Sequence, residues 1–598
     1  MKRRTAVLVL MVLTISSQVV SGSDNTKKNR RTILATSSVA STIIDANNLT
    51  SWIQADALWP PVVGESWNGE FPKGSEVGVV FQEGIMFGGL VYDGTYPGLR
   101  VGGSMYGTAM QAGKILTGSD GKVVGAENAN DSTVARVWRV RPDYRTASLI
   151  DDAKAFFNED SSKVTAQQIQ QLRSQYESDW NDWPASKGAP YVDVNGDGKY
   201  EPDIDIPGVP EAAQTVWLVA NDLDSALTTQ LCGTPPIGIE EQITEWTWKI
   251  DGQTVPDNIV YKQVKLIYKG TTTSSFDSHI DGLYLSQWAD PDVGDYSDDL
   301  VGSDSTLNLG YAYNGEAVDL LYQHIVLSPP AMGYQIISGP SYKTGAASDS
   351  AITDFGWKRG YRYPNPPMTA YVRQQPSYGL IVPWDDQAAE DYNMMRGGLP
   401  RPSYPAFIPA WTLWTTPGNH PTNYMCFGDP TTRSGWIDSL PGDRRFWCSN
   451  GPFDMKLGDT AEYVIAEVAA EGPEFVQNVN ILKLYARWSQ FLFNASASPS
   501  ILAVKAPEQV PLDWVLKQNY PNPFNPSTTI MYNVQKRGGV NLAVFNILGQ
   551  KVRTLVDGMK DIGTYSVDFN GMNLPSGIYI CELTEIGASA KMKMMLLK

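Results

Sequence analysis

Short apolar runs, several of them alternating residue by residue and all cut off by glycine, proline or asparagine, recur along most of this chain. That pattern restricts it to mainly β architecture. Gly78-Val79-Val80-Phe81, residues 84–91 and residues 99–103 are such runs and predict a meander; Thr244 to Ile250, Asn258 to Tyr268 and Asp281 to Trp288 continue it. With 53 Gly, 39 Pro, 18 Trp and 29 Tyr, turn chemistry and aromatic packing are both plentiful. Sugar binding is a second use for so many rings, core filling the commoner one. At 598 residues and 42% hydrophobic content the chain buries a large core and divides into two or three domains.

Two segments follow helical spacing instead. From Thr165, a good N-cap, residues Ala166, Ile169, Leu172, Tyr176 and Trp180 form a stripe that ends before Pro184. Residues 476–493 predict a second helix with Ile481, Leu484, Tyr485, Trp488 and Leu492 on one face. Both stripes read as core contacts.

The amino terminus sets the route the chain takes. Lys2, Arg3 and Arg4 precede an apolar stretch from Thr5 to Ile15 and a small-residue stretch ending Val20-Ser21-Gly22, the pattern of a cleaved signal peptide over residues 1–22. The apolar stretch falls short of the ~20 residues a bilayer demands, and no later stretch spans one. Loss of three cations drives the formal charge of −17 further negative. Such a surface repels phosphate backbones and anionic lipid, which excludes nucleic acid and favours divalent cations as partners.

Four cysteines are too few for a disulfide scaffold. Cys426 and Cys448 flank a Gly/Pro/Trp-rich loop and form the one candidate disulfide, worth roughly 3 kcal/mol in an oxidising compartment; Cys232 and Cys581 read as unpaired. His279, His324 and His420 are scattered, which argues against histidine-based zinc chemistry. No organic cofactor is implied.

The clearest chemical signal is the run from Asp193 to Asp205. Side-chain oxygens at Asp193, Asn195 and Asp197 alternate, Gly196 and Gly198 permit a sharp turn, and the Lys199 carbonyl is the next ligand, which is how a chain wraps a hard cation. The run resembles the first half of an EF-hand loop, but Ile204 stands where the bidentate Glu belongs and Pro202 interrupts the tail, so Asp205 is the replacement ligand. Calcium is the expected ion; a self-bonded Asx-rich turn is the alternative. A second acidic run offers Asp290, Asp292 and Asp295 as a further metal set, against a solvated acidic loop. Asp222, Asp224, Glu240 and Glu241 contain carboxylate pairs of the kind that cleave glycosidic bonds, with surface charge as the plainer reading. No Ser-His-Asp order, Cys-His pair or zinc helix is legible, and catalytic residues stay unknown.

After Ala506-Pro507-Glu508 the chain turns into a separate sandwich. Ile530, Tyr532 and Val534 alternate, as do Val540, Leu542 and Val544, then Tyr565, Val567 and Phe569, then Met592, Met594 and Leu596. The run Gln518-Asn519-Tyr520-Pro521-Asn522-Pro523-Phe524-Asn525-Pro526, followed in order by residues 544–552 containing Gly549, by Leu574-Pro575-Ser576-Gly577-Ile578-Tyr579, and by the Met-rich end closing on Lys598, resembles the type A sorting domain of type IX secretion substrates. That resemblance implies an immunoglobulin-like sandwich over residues 513–598, read by a type IX translocon and its processing enzyme, and a secreted or outer-membrane-surface location. Pro521, Pro523 and Pro526 remove three backbone donors, so the strip stays an extended edge with Tyr520 and Phe524 as receptor anchors. Softer matches at residues 81–89, 183–191 and 451–460 resemble a secreted family of Bacteroidota and related phyla with no assigned function.

The expected layout is a signal peptide (1–22), a flexible segment (23–45), a β-rich body (46–505, one or two subdomains) holding the 193–205 loop, a linker (506–512) and the sorting domain. The body reads as a calcium-stabilised structural or binding module, with surface glycans as the ligand class; a secreted polysaccharide-active hydrolase is the alternative.

Overall fold

The computed structural model describes residues 39–598 except 63–66, 158, 160–161, 251–252, 375–386, 401–408, 410–421, 473, 498–515, 517–518, 520–521, 523, 535–537, 547–549, 561–562 and 586–587. The signal peptide, the linker 506–512, Tyr520, Pro521, Pro523 and Gly549 lie outside the described residues. The chain is mainly β, with 43% of residues in strands and 15% in helices, as the alternation requires.

The body is built on two antiparallel sheets. The larger carries, in spatial order, Trp138–Val140, Gln214–Asn221, Ile239–Thr247, Ile259–Tyr268, Thr460–Ala470, Ala331–Lys343, Leu309–Asn314 and Asp299–Asp304. The smaller runs Ala370–Gln374, Arg445–Lys456, His279–Asp290, Gln82–Tyr92 and Leu99–Gly103. Their facing side chains share one core, with Ile85, Phe87, Leu285 and Trp447 from the small sheet against Leu218, Ile243, Val264 and Ile465 from the large one. The expected pairing of residues 84–91 with 99–103 is present, Met86 opposite Gly103 through Leu90 opposite Leu99. The described chain already forms a strand at Ser41–Ile44, paired with Ser51–Gln54.

Helices cover the outer face of the large sheet, which is why Gln214–Asn221 and Ile239–Thr247 are buried at every position. Thr165 caps the helix Ala166–Asn181 in a reciprocal capping box with Gln168, and Leu172, Tyr176 and Trp180 pack on Trp217 and Val219 as their spacing predicts. The second helix, Asn478–Ser496, is rotated from expectation. Val479, Leu482, Ala486, Ser489 and Phe493 face the sheet, while Ile481, Tyr485 and Trp488 flank it half-buried. Ala486 and Ser489 are small enough for the helix to approach closely; Ser489 takes a bond from the Tyr261 hydroxyl on its carbonyl at 3.0 Å.

The two sheets enclose a charged cluster that no local pattern announces. Lys262 is fully buried and donates to Glu83 at 3.0 Å and Glu467 at 2.8 Å, with Glu245 3.7 Å away and the Trp59 ring centroid 4.2 Å away. Trp59 Nε1 donates to Glu245 at 2.7 Å, and Gln287 donates to Glu83 at 2.9 Å. One ammonium thus serves three carboxylates. Burial pushes Glu245 up to about 7, against the pull of Lys262, and pushes the nearby Glu241 up to about 8.

The carboxy-terminal sandwich has its own core. Ser527–Val534 pairs with Gly563–Asn570, and a four-stranded sheet runs Lys551–Lys560, Gly538–Asn546, Gly577–Glu585, Ala588–Leu596. Ile530, Tyr532, Val534, Val540, Leu542, Val544, Phe569, Met592, Met594 and Leu596 all point inward, as their alternation predicts, while Tyr565 and Val567 are half-buried at its margin.

Candidate functional site

In the sorting sandwich the described part of the proline strip, Asn522 and Phe524, lies along the last strand. Phe524 N donates to the Met595 carbonyl at 2.9 Å, Leu597 N donates back to Phe524 at 3.0 Å, and the Asn522 side chain accepts from Met595 N at 2.8 Å. Ala588–Leu596 is an edge strand, so Phe524 docks at an edge. Phe524 corrects one expectation. Its ring is 1% exposed and sits 5.7 Å from the Phe569 ring, so it anchors the strip inward and is not presented to a receptor. What stays exposed is Asn522, Asn525, Gly577 and Lys598, with Pro526 half-exposed. Tyr579 is buried and donates to the Pro575 carbonyl at 2.7 Å, bracing the turn before Gly577. Lys598 closes the same corner, its amide on Ser576 Oγ at 3.0 Å and its ammonium on the Met572 carbonyl at 2.5 Å.

The 193–205 loop is pinned where it enters and leaves, by pairing of Tyr191–Val192 with Ile206–Pro207. Gly196 and Gly198 take left-handed backbone, φ +75° and +76°, which makes the tight turn. Asp193 accepts the amides of Gly196, Asp197 and Gly198, Asn195 accepts Asp197 N, and Asp197 accepts Lys199 N. Asp205, buried at the base, accepts Val194 N at 2.9 Å and Glu201 N at 2.8 Å. Acceptor capacity remains on Asn195 and Asp197, since each oxygen carries two lone pairs.

Among the described residues, one group of three acids brings an oxygen from each within 4.8 Å of the others: Asp290, Asp292 and Asp443. The sequence offers Asp295 with the first two; the fold supplies Asp443 instead. Asp295 turns away to cap the short helix Tyr296–Asp298, accepting Ser297 N. Asp290 ends the strand His279–Asp290, and Arg445 beside it starts the neighbouring strand, which brings Asp443 alongside. Tyr106 donates to Asp290 Oδ2 at 2.5 Å, and Arg445 Nε both donates to the Tyr106 oxygen and lies 3.3 Å from Asp290 Oδ2. Burial pushes Asp290 up to about 7; burial with repulsion from Asp290 and Asp443 pushes Asp292 up to about 8.

The carboxylates considered for glycosidic chemistry are occupied structurally. Asp222 is fully buried and accepts the amides of Ile237, Gly238 and Ile239; Asp224 caps the helix Ser225–Cys232. Glu240 accepts Ile115 N and the Lys269 ammonium, and Glu241 points into the core. A cleft of about 360 Å³, lined by Leu223 but by neither of its acidic neighbours Asp222 and Asp224, lies between Asp93, Gln111, Pro236 and Thr271 to Thr273. Arg100 at its floor spends all five N–H donors on Asp93 and the carbonyls of Thr95, Pro97 and Pro236.

All four cysteines are buried free thiols, so no Cys426–Cys448 disulfide is formed in this structure. Cys448 lies mid-strand between Gln287 and Tyr371, its sulfur turned toward Gly310. Cys426 has left-handed backbone (φ +52°), and its carbonyl accepts Ser303 N.

Residues 518–597 match the family described as "Secretion system C-terminal sorting domain". A comparison with curated protein sequences returns no match. Among solved structures, one titled a polysaccharide lyase aligns at 7% identity and a TM-score of 0.17, over 60% of this chain and 34% of that one. The chain thus spans about a third of that lyase, and the score is too low to relate the folds. The sorting domain makes the chain a type IX secretion substrate, destined for the cell surface or the extracellular space. No helix among the described residues is long and apolar enough to cross a membrane.

Proposed function

We propose that the body of this type IX secretion substrate works outside the cell as a structural or binding module whose 193–205 loop is stapled by calcium. The observation that carries the reading is a loop tied at both ends, with Asp193, Asn195 and Asp197 in alternating register around two left-handed glycines. A hard cation there takes the spare lone pairs of the loop oxygens and the Lys199 carbonyl, with Asp205 from the base. Its role is that of a missing disulfide: it holds a long exposed segment of a chain whose cysteines are all free.

A site with Kd near 10⁻⁴ M in about 1 mM calcium stabilises by roughly 1.4 kcal/mol. Adding a chelator to the purified chain is therefore expected to lower its melting temperature, and Asp193→Ala to remove the loop's share of that response. A melt indifferent to chelator removes the calcium reading. Retention of the chain on insoluble glycans without release of reducing sugar is the expected sign of binding; sugar release would replace the module with an enzyme.

A further inference from the structure

We infer that Asp290, Asp292 and Asp443 form a second divalent-cation site, separate from the 193–205 loop and built at the open end of the small sheet. Three observations converge on it. The first is geometric: ligand oxygens of a calcium ion lie 2.3–2.6 Å from the metal, so two of them are at most about 5 Å apart. One oxygen from each of the three acids satisfies that limit at 4.8 Å.

The second is an acceptor left over in a place that does not tolerate one. Asp290 is 1% exposed, yet its Oδ1 has no hydrogen-bond partner among the described residues, while Oδ2 is taken by Tyr106. Asp292 is half-buried; its carbonyl accepts Gly294 N at 3.0 Å, but its carboxylate makes neither a hydrogen bond nor an ion pair among those residues. Behind it Asp299, fully buried, also leaves Oδ1 without a partner. Unpaired buried oxygens of this kind cost several kcal/mol unless a cation or proton meets them.

The third is charge. Arg445 is the cation at this cluster; it contacts Asp443 Oδ1 at 2.8 Å without hydrogen-bond alignment and leans on Asp290. Once all three acids are ionised, one guanidinium leaves two negative charges, which a divalent ion neutralises. Arg445 and Tyr106 are positioning residues, holding Asp290 Oδ2 and leaving Oδ1 available to an ion. The Asp443 side chain is 29% exposed, which leaves an entry path and room for waters to complete the six to eight oxygens calcium takes. The ion would tie the end of the strand His279–Asp290 to the start of Arg445–Lys456, closing one edge of the sandwich.

The test is calorimetric titration of calcium chloride into the chelator-stripped full chain, run on wild type, Asp292→Asn, Asp193→Ala and the double variant. Asp292→Asn changes charge with almost no change of shape at a side chain without hydrogen bonds, so the fold is retained. Asp193→Ala is expected to keep one equivalent of bound calcium, and adding Asp292→Asn to abolish it. Loss of one equivalent on Asp292→Asn alone, with Asp193→Ala silent, would support this site and sink the 193–205 loop. No calcium bound to Asp193→Ala at 10 mM, on the order of ten times the weakest sites of this kind, would overturn it. So would binding that survives in the double variant.

Discussion

Replacing Lys262 by methionine, which is near in volume and has no charge, isolates what the buried ammonium does between the sheets. In its absence the carboxylate it neutralises must take up a proton to remain buried, because an unpaired charge there is far more costly. Glutamate in the unfolded chain titrates near 4.5, so enforced protonation costs about 1.4 kcal/mol for each pH unit above that. The expected loss is roughly 5 kcal/mol at pH 8 and about 1 kcal/mol at pH 5. Wild type already shows the same sign more weakly. Burial holds Glu245 up to about 7 and Glu241 up to about 8, above their unfolded value, so their stabilising protons are all present below pH 4.5 and are lost through pH 7 to 8. Urea unfolding at both pH values, followed by tryptophan fluorescence, reads the difference directly, since Trp59 lies against the ammonium. Equal losses at pH 5 and pH 8, or a loss under about 1 kcal/mol at pH 8, would refute the claim that Lys262 neutralises the glutamates.

Phe524→Ala is expected to cost about 3–5 kcal/mol in the sorting sandwich, seen as faster protease nicking within residues 513–598 and reduced delivery of the chain to the medium; wild-type resistance and yield would show that the ring is not a core pillar. Gly238→Ala should destabilise the body by about 3 kcal/mol or more, because Gly238 sits at φ +92° and a Cβ there would lie 2.2 Å from the Gly270 carbonyl carbon; a melting temperature within a degree or two of wild type would contradict that contact.

Several elements are legible from local spacing alone because the physics that makes them is local. Thr165 and Gln168 cap each other three residues apart, so the helix start is written in a tetrapeptide. The alternation of Val540, Leu542 and Val544 fixes which side of a strand is buried, since successive side chains point to opposite faces. Helical spacing is less decisive. In Asn478–Ser496 the bulky stripe Ile481, Tyr485 and Trp488 has the stronger apolar pattern, yet the sheet selects the neighbouring face, where Ala486 and Ser489 permit closer packing.

The acidic site divides in the same way. Asp290 and Asp292 are visible as a charged run, but Asp443 is 151 positions beyond Asp292 and reaches it only because the strands that end near each are paired. Nothing in the run disqualifies Asp295, which is lost to a helix cap that depends on how the loop closes. Lys262 and its three glutamates are further apart still, on four strands of two sheets, and each alone reads as a surface residue.

By itself, then, the sequence determined the β class, the caps and inward faces, and the export address, because each depends on residues close along the chain. The tertiary structure alone decided which carboxylates meet, that Phe524 points inward, and that Lys262 lies between the sheets. Those outcomes depend on strand pairing and sheet packing between residues tens to hundreds of positions apart, for which no short motif exists.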